Sequence, residues 1–134
     1  NPPYRAFCER RGRTPATVTR WQDVPALPTT AFKSVDLACA PADKVFRTSG
    51  TTEGGDRRGR HLIPRPVIYR RGALAHFRRM VLADGIRPRV VGLLGSPDVL
   101  PESSLTQMVE WLRLDVADGD GEYLVDASGF DAAA

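Results

Sequence analysis

Residues 49–59 hold four glycines and no apolar side chain, and they lie between two short stretches, 44–48 and 60–63, that are rich in extended-chain formers. A polar, glycine-rich run has no face to bury, so it must be a surface loop, and its flanks read as strands. The fold therefore has to present a long polar loop at the carboxyl end of a strand. In sheets flanked by helices, that is where ligands bind.

The rest of the chain supplies such a sheet. From Val67 the apolar residues Val67, Leu74, Phe77 and Val81 recur at helical intervals, while Arg70, Arg71, Arg78 and Arg79 face elsewhere, which predicts an amphipathic helix started by Pro66 and ending near Asp84 and Gly85. Residues 89–95 include Val90, Val91, Leu93 and Leu94, a nearly continuous apolar run expected of a strand buried on both faces. Ser104 and Gln107 have capping-box spacing and open a second helix with the stripe Leu105, Met108, Val109, Leu112 and Val116. The turn 118–121 leads to a last strand over 122–126. This order predicts an α/β fold, a mostly parallel sheet with flanking helices.

The N-terminal third differs. Residues 3–12 are compatible with a short helix stopped by Gly12. Pro15, Pro25, Pro28 and Pro41 then forbid a long helix, yet Trp21, Val24, Leu27, Phe32, Val35 and Leu37 predict an ordered crossing that packs on a core. Domain organisation follows as a proline-rich crossing over 1–42 and an α/β unit over 43–134 with the loop at 48–60. With 134 residues, 42% hydrophobic and 26% charged, the composition suits one compact globular unit with a modest core. The expectation is a piece of a longer enzyme. No stretch approaches the roughly 20 apolar residues of a membrane span, so a cytoplasmic location without membrane contact is the default expectation. Cys8 and Cys39 have no partner at metal-ligand spacing and read as ordinary thiols; no metal site is expected from the residues. Trp21, Trp111 and Tyr69 read as core or interface aromatics, and His76 as a surface or packing residue.

The loop carries the chemistry. Thr48, Ser49, Thr51 and Thr52 offer hydroxyls among Gly50, Gly54 and Gly55, whose bare Cα atoms let backbone amides turn toward a bound anion. The net charge of +3 is carried almost wholly by arginine, and eight arginines fall between Arg57 and Arg79. Guanidinium groups match phosphate, so Arg57, Arg58 and Arg60 extend the anion cradle; the arginines beyond Arg65 read rather as a solvated helix face. Other phosphate loops fail, because Asp56 and Arg57 stand where the pattern GxxxxGK[ST] needs lysine and a hydroxyl, and GxGxxG is absent. There is no GxSxG elbow and no hydrolase triad. His61 either lines the site or occupies a strand edge.

The run Thr48-Ser49-Gly50-Thr51-Thr52 followed by glycine resembles the [ST]SGTTGxPK motif of adenylate-forming enzymes such as acyl-CoA synthetases and phenylacetate-CoA ligase. More specifically, the chain resembles the acyl-protein synthetase family of the bacterial luminescence system. Four ordered pieces carry the resemblance, from Val24 to Lys33, Phe46 to Thr52 with Arg58 to His61, Tyr69 with Phe77-Arg78-Arg79, and Ser96-Pro97 with Ser103-Ser104-Leu105 and Met108-Val109. It implies part of the N-terminal domain of an enzyme in which a carboxylate, expected to be that of a fatty acid, attacks the α-phosphate of ATP to give an acyl-adenylate and pyrophosphate. ATP with Mg2+ would be the cofactors, and an acyl-accepting reductase a partner. By matching positions the loop residues Thr48, Ser49, Gly50, Thr51, Thr52 and Gly54 would hold the phosphates, with Gly55, Arg58, Arg60 and His61 beside them; no catalytic residue is assigned. Glu53 departs from the motif, and its final lysine is missing. Two rival readings stand beside this one, an arginine-rich nucleic-acid-binding module and a non-catalytic relic of the ligase fold.

Overall fold

The computed structural model describes residues 1–49, 58–119 and 121–130. The chain is mixed α/β and divides into two compact units, Asn1–Pro64 and Arg65–Ala134.

In the first unit, helix α1 (Pro2–Glu9) begins where the Asn1 side chain accepts the Tyr4 N–H and prolines occupy positions that need no intrahelical donor. The helix ends at Glu9, earlier than expected. A turn carries the chain on to Gly12, whose φ of 63° is a left-handed conformation that glycine adopts without a Cβ penalty. The proline-punctuated crossing then forms only two 3-10 turns, Trp21–Asp23 and Thr29–Lys33. Its expected packing holds in part: Leu27, Phe32 and Leu37 are half-buried, but Val24 and Val35 are exposed, and Trp21 is 80% exposed, so Trp21 is not a core aromatic.

Strands β1 (Lys44–Arg47) and β2 (Arg60–Ile63) pair antiparallel, with Lys44 opposite Ile63 and Arg47 opposite Arg60. Phe46 on β1 is the buried apolar side chain of this unit among the described residues.

The second unit holds the larger core. Helix α2 (Pro66–Met80) packs on helix α3 (Ser104–Asp115), burying Leu74, Trp111 and Val116, with Tyr69, Ala73, Leu82, Met108 and Leu112 around them. The Tyr69 ring meets Trp111 edge-on, centroids 5.3 Å apart, a favourable arrangement of ring quadrupoles. The expected stripe on α2 is corrected here. Val67 and Val81 are exposed, because the face toward Trp111 is set by Tyr69, Ala73 and Leu74. Arg70 does not face away either: Asp115 of α3 accepts bonds of 2.8 and 2.7 Å from it, and Arg78 donates to the Asp115 carbonyl. The N-cap of α3 is Ser103, not Ser104. Ser103 keeps an extended backbone and its Oγ accepts the Thr106 N–H. Leu105, placed in the apolar stripe by periodicity, is exposed, and Thr106 is buried instead.

Strand β3 (Val91–Gly95) pairs parallel with β4 (Glu122–Val125), Gly92 standing opposite Tyr123. Burial of β3 on both faces is overturned, since Val91 and Leu93 are exposed while the buried positions are Gly92 and Gly95. Gly92 has a physical reason to lack a side chain, because a Cβ there would lie 2.7 Å from the Tyr123 ring. Among the described residues the strands form two two-stranded sheets, one antiparallel and one parallel, in place of the expected mostly parallel sheet. No helix among them is long and apolar enough to cross a membrane.

Candidate functional site

The ends of the glycine-rich segment are closed by hydrogen bonds. Beyond the last ladder pair the Thr48 N–H donates to the Gly59 carbonyl at 3.0 Å, and the Gly59 N–H donates to Thr48 Oγ1 at 2.9 Å. Thr48 thus spends a hydroxyl lone pair on the base of the loop. Gly59 is buried, and a Cβ there would stand 3.3 Å from the Thr48 side chain, close enough that Thr48 would have to shift by a few tenths of an ångström. Arg58 Nε donates to the Thr48 carbonyl at 2.6 Å, which directs its guanidinium group.

Of the residues assigned to phosphate binding, Thr48, Ser49, Arg58, Arg60 and His61 are described; Gly50, Thr51, Thr52, Gly54 and Gly55 lie outside the described residues, as does Glu53. His61, opposite Phe46 on β2, stacks on Phe32 from the second 3-10 turn, with ring centroids 4.5 Å apart and planes 30° from parallel. It is therefore held as a packing partner, half-buried in its strand.

Arg58 and Arg60 line a cleft of about 350 Å³ together with Lys33, Ser34, Asp36 and Arg47. Thr48, Ser49 and His61 are not among its lining residues. Arg60 Nη2 spans the Asp36 carboxylate, 2.6 and 2.5 Å from its two oxygens, with both side chains about half exposed. Such an exposed pair contributes about 0–1 kcal/mol to stability, so its importance is in aiming the guanidinium. Its described lining residues include four cationic side chains and one carboxylate. Its donor set, guanidinium forks and an ammonium, is chemistry that suits phosphate oxygens.

Lys33, Asp36 and Arg47 were missed by the sequence reading as residues of this site. A signal existed for Lys33, one of only two lysines in the chain and the last residue of a segment that carries the family resemblance. Asp36 had none, because it lies 24 positions from Arg60 in the sequence.

A second cleft, about 430 Å³, lies in the other unit between α3 and the start of β4. There Glu110 accepts two bonds from Arg113 and one from the Tyr123 hydroxyl at 2.9 Å. The Arg113 hydrogen bonds hold the Glu110 carboxyl below its usual range, against an opposing effect of burial. Tyr123 is pushed up, first by burial and then by its bond to Glu110. All these groups satisfy one another, which is what a structural network does. Among the described residues no group of three or more His, Cys, Asp or Glu is placed to hold a metal ion.

Comparison with protein-family models, curated proteins and solved structures found no match to this chain.

Proposed function

We propose that this chain supplies the phosphate-binding part of an ATP-dependent enzyme that activates a carboxylic acid as its acyl-adenylate, within the N-terminal domain of a longer protein. The observation that carries the reading is the arginine-lined cleft beside the loop, into which Arg58 and Arg60 from the loop's exit converge with Arg47 from its entrance. A loop whose two ends are pinned by the Thr48–Gly59 bonds and flanked by cations is suited to hold a leaving pyrophosphate, where positioning and charge stabilisation are the protein's contribution. ATP with Mg2+ is the expected nucleotide, and the acid, fatty in the family resembled, is the expected substrate. An acyl-accepting reductase remains the expected partner, and the cytoplasm the expected location.

The nucleic-acid alternative draws on the same arginines, some of which are already engaged within the second unit. Arg58 and Arg60 belong to the first unit, whereas Arg70 and Arg78 are bonded to Asp115 in the second. Half of the nucleotide site is absent from these residues by this reading, so they are expected to be inert alone. The test is acid-dependent exchange of labelled pyrophosphate into ATP by the intact protein. Replacing Thr51 and Thr52 together by alanine should abolish exchange without changing the melting temperature. Exchange at the wild-type rate would remove the loop from the reaction.

A further inference from the structure

We propose that the cavity between α1 and the proline-punctuated crossing binds a small molecule with an apolar body and a single anionic group, the body resting on Tyr4, Val18, Val24 and Pro25 and the anion held by Arg5 and Arg13. None of the residues lining this cavity belongs to the arginine-lined cleft, and binding there is independent of ATP and of the ligase reading.

The cavity measures about 510 Å³, within the range of roughly 300–1,000 Å³ usual for small-molecule sites. Its walls are tied together inside the first unit. The Tyr4 hydroxyl of α1 donates to the Pro25 carbonyl at 2.7 Å, and the Arg13 N–H donates to the Cys8 carbonyl at 3.0 Å, which brings the turn after α1 back onto the helix. Tyr4 and Cys8, one helical turn apart, share a face of α1 and meet Val18, Val24 and Pro25 of the crossing across the space. Covering this apolar lining is favourable. The polar groups around it divide into two kinds. Tyr4 is bonded to Pro25, and the Thr14 N–H to Thr17 Oγ1. Arg5 and Arg13 make no side-chain hydrogen bond or ion pair among the described residues. Glu9 is the carboxylate of the lining, but in residues 1–20 it is the only acid against five arginines, so the local charge balance is positive with Glu9 ionised. An anionic head is therefore favoured over a cationic one, and a guanidinium fork matches a carboxylate or a sulfate. Both arginines are exposed, so the head stays at the wet rim while the body is covered. A polyphosphate or a nucleic acid would leave the apolar lining uncovered.

Cys8 lines the cavity, whereas Cys39 is exposed and does not line it, so the two thiols give an internal comparison. The experiment follows modification of each cysteine of the intact protein by a water-soluble maleimide, without ATP, alongside calorimetric titration with octanoate, octyl sulfate, octanol and octyltrimethylammonium. Saturating octanoate or octyl sulfate should slow modification of Cys8 by about tenfold and that of Cys39 by less than about twofold. Octanol should bind about tenfold more weakly than either anion, the worth of one charge-assisted hydrogen bond, and the ammonium more weakly still. Arg5→Gln with Arg13→Gln should bring octanoate to the affinity of octanol and leave octanol unchanged, with the melting temperature held because both positions are exposed. The comparison of the four probes on the wild-type protein needs no variant to fold. Octanol or the ammonium binding as tightly as octanoate, protection of Cys39 equal to that of Cys8, or wild-type octanoate affinity in the double variant would each overturn the proposal. Octanoate binding that leaves Cys8 as reactive as before puts the anion elsewhere and overturns it too.

Discussion

The two units solve the same problem with different means. Arg65–Ala134 is organised around apolar burial, with Leu74, Trp111 and Val116 at the α2–α3 contact and a bidentate Arg70–Asp115 pair beside it. Asn1–Pro64 buries Phe46 alone among its described apolar side chains and relies on a strand pair, the Thr48–Gly59 closure and local turns. Concentrating polar and charged groups around a cleft leaves less surface for a core, since cations must remain hydrated or paired. The unit carrying the candidate site is thus the one that gives up apolar burial.

That contrast can be broken most directly at the two cores. Trp111→Ala should cost about 3–5 kcal/mol, because the ring packs edge-on with Tyr69 and its neighbours cannot all collapse into the space. Phe46→Ala should fall at the low end of that range, about 3 kcal/mol, in a setting with fewer buried neighbours to be left around a void. Urea denaturation of both variants measures the difference, and an equal or larger loss for Phe46→Ala would reverse the comparison.

Close backbone approach in the second unit provides the next effect. A Cβ at Gly121 would stand 2.4 Å from the Val90 carbonyl oxygen, and backbone cannot swing aside as a side chain can. Gly121→Ala should destabilise by about 1–3 kcal/mol, seen as a lowered melting temperature; an unchanged one would mean that the β3–β4 entrance readily shifts.

The Glu110 network predicts a pH effect of smaller size. Arg113 depresses the Glu110 carboxyl, so its contribution to stability is present above the ordinary carboxylate value of about 4.3 and is lost as pH falls through the lower, folded-state value. Tyr123 is shifted the opposite way. Its contribution is present below the ordinary tyrosine value of about 10 and is lost as pH rises through the raised one. Glu110→Gln should remove part of the acid-side decline, measured as the difference between wild-type and variant stability curves. Identical acid limbs would exclude Glu110 as a contributor.

The smallest effect runs toward greater stability. Thr106 is wholly buried, and its Oγ1 has no hydrogen-bond partner among the described residues. Thr106→Val keeps the shape and removes the unsatisfied hydroxyl, so chemical denaturation should show a gain of about 1 kcal/mol. A loss would show that the hydroxyl is satisfied in solution.

Much of the local structure was legible. The 3.6-residue periodicity located α2 and α3, and the acidic glycine turn announced β4, because these signals act over one or two turns of chain. Which side of each helix is buried was less legible. Val67, Val81 and Leu105 fit an apolar stripe by spacing, but spacing cannot say what stands opposite, and Trp111 decided the face instead. The apolar run at Val91 and Leu93 suggested two covered faces, whereas these two residues share one face of the strand and both are exposed.

The sequence by itself determined that residues 49–59 hold a polar glycine-rich segment between extended flanks, since backbone freedom and the lack of apolar side chains are local properties. Only the tertiary structure decided that β1 and β2 run antiparallel, that Asp36 holds Arg60, and that Lys33 and Arg47 share a cleft with Arg58. Those meetings join residues far apart in the sequence, and periodicity reports only on neighbours within a few residues.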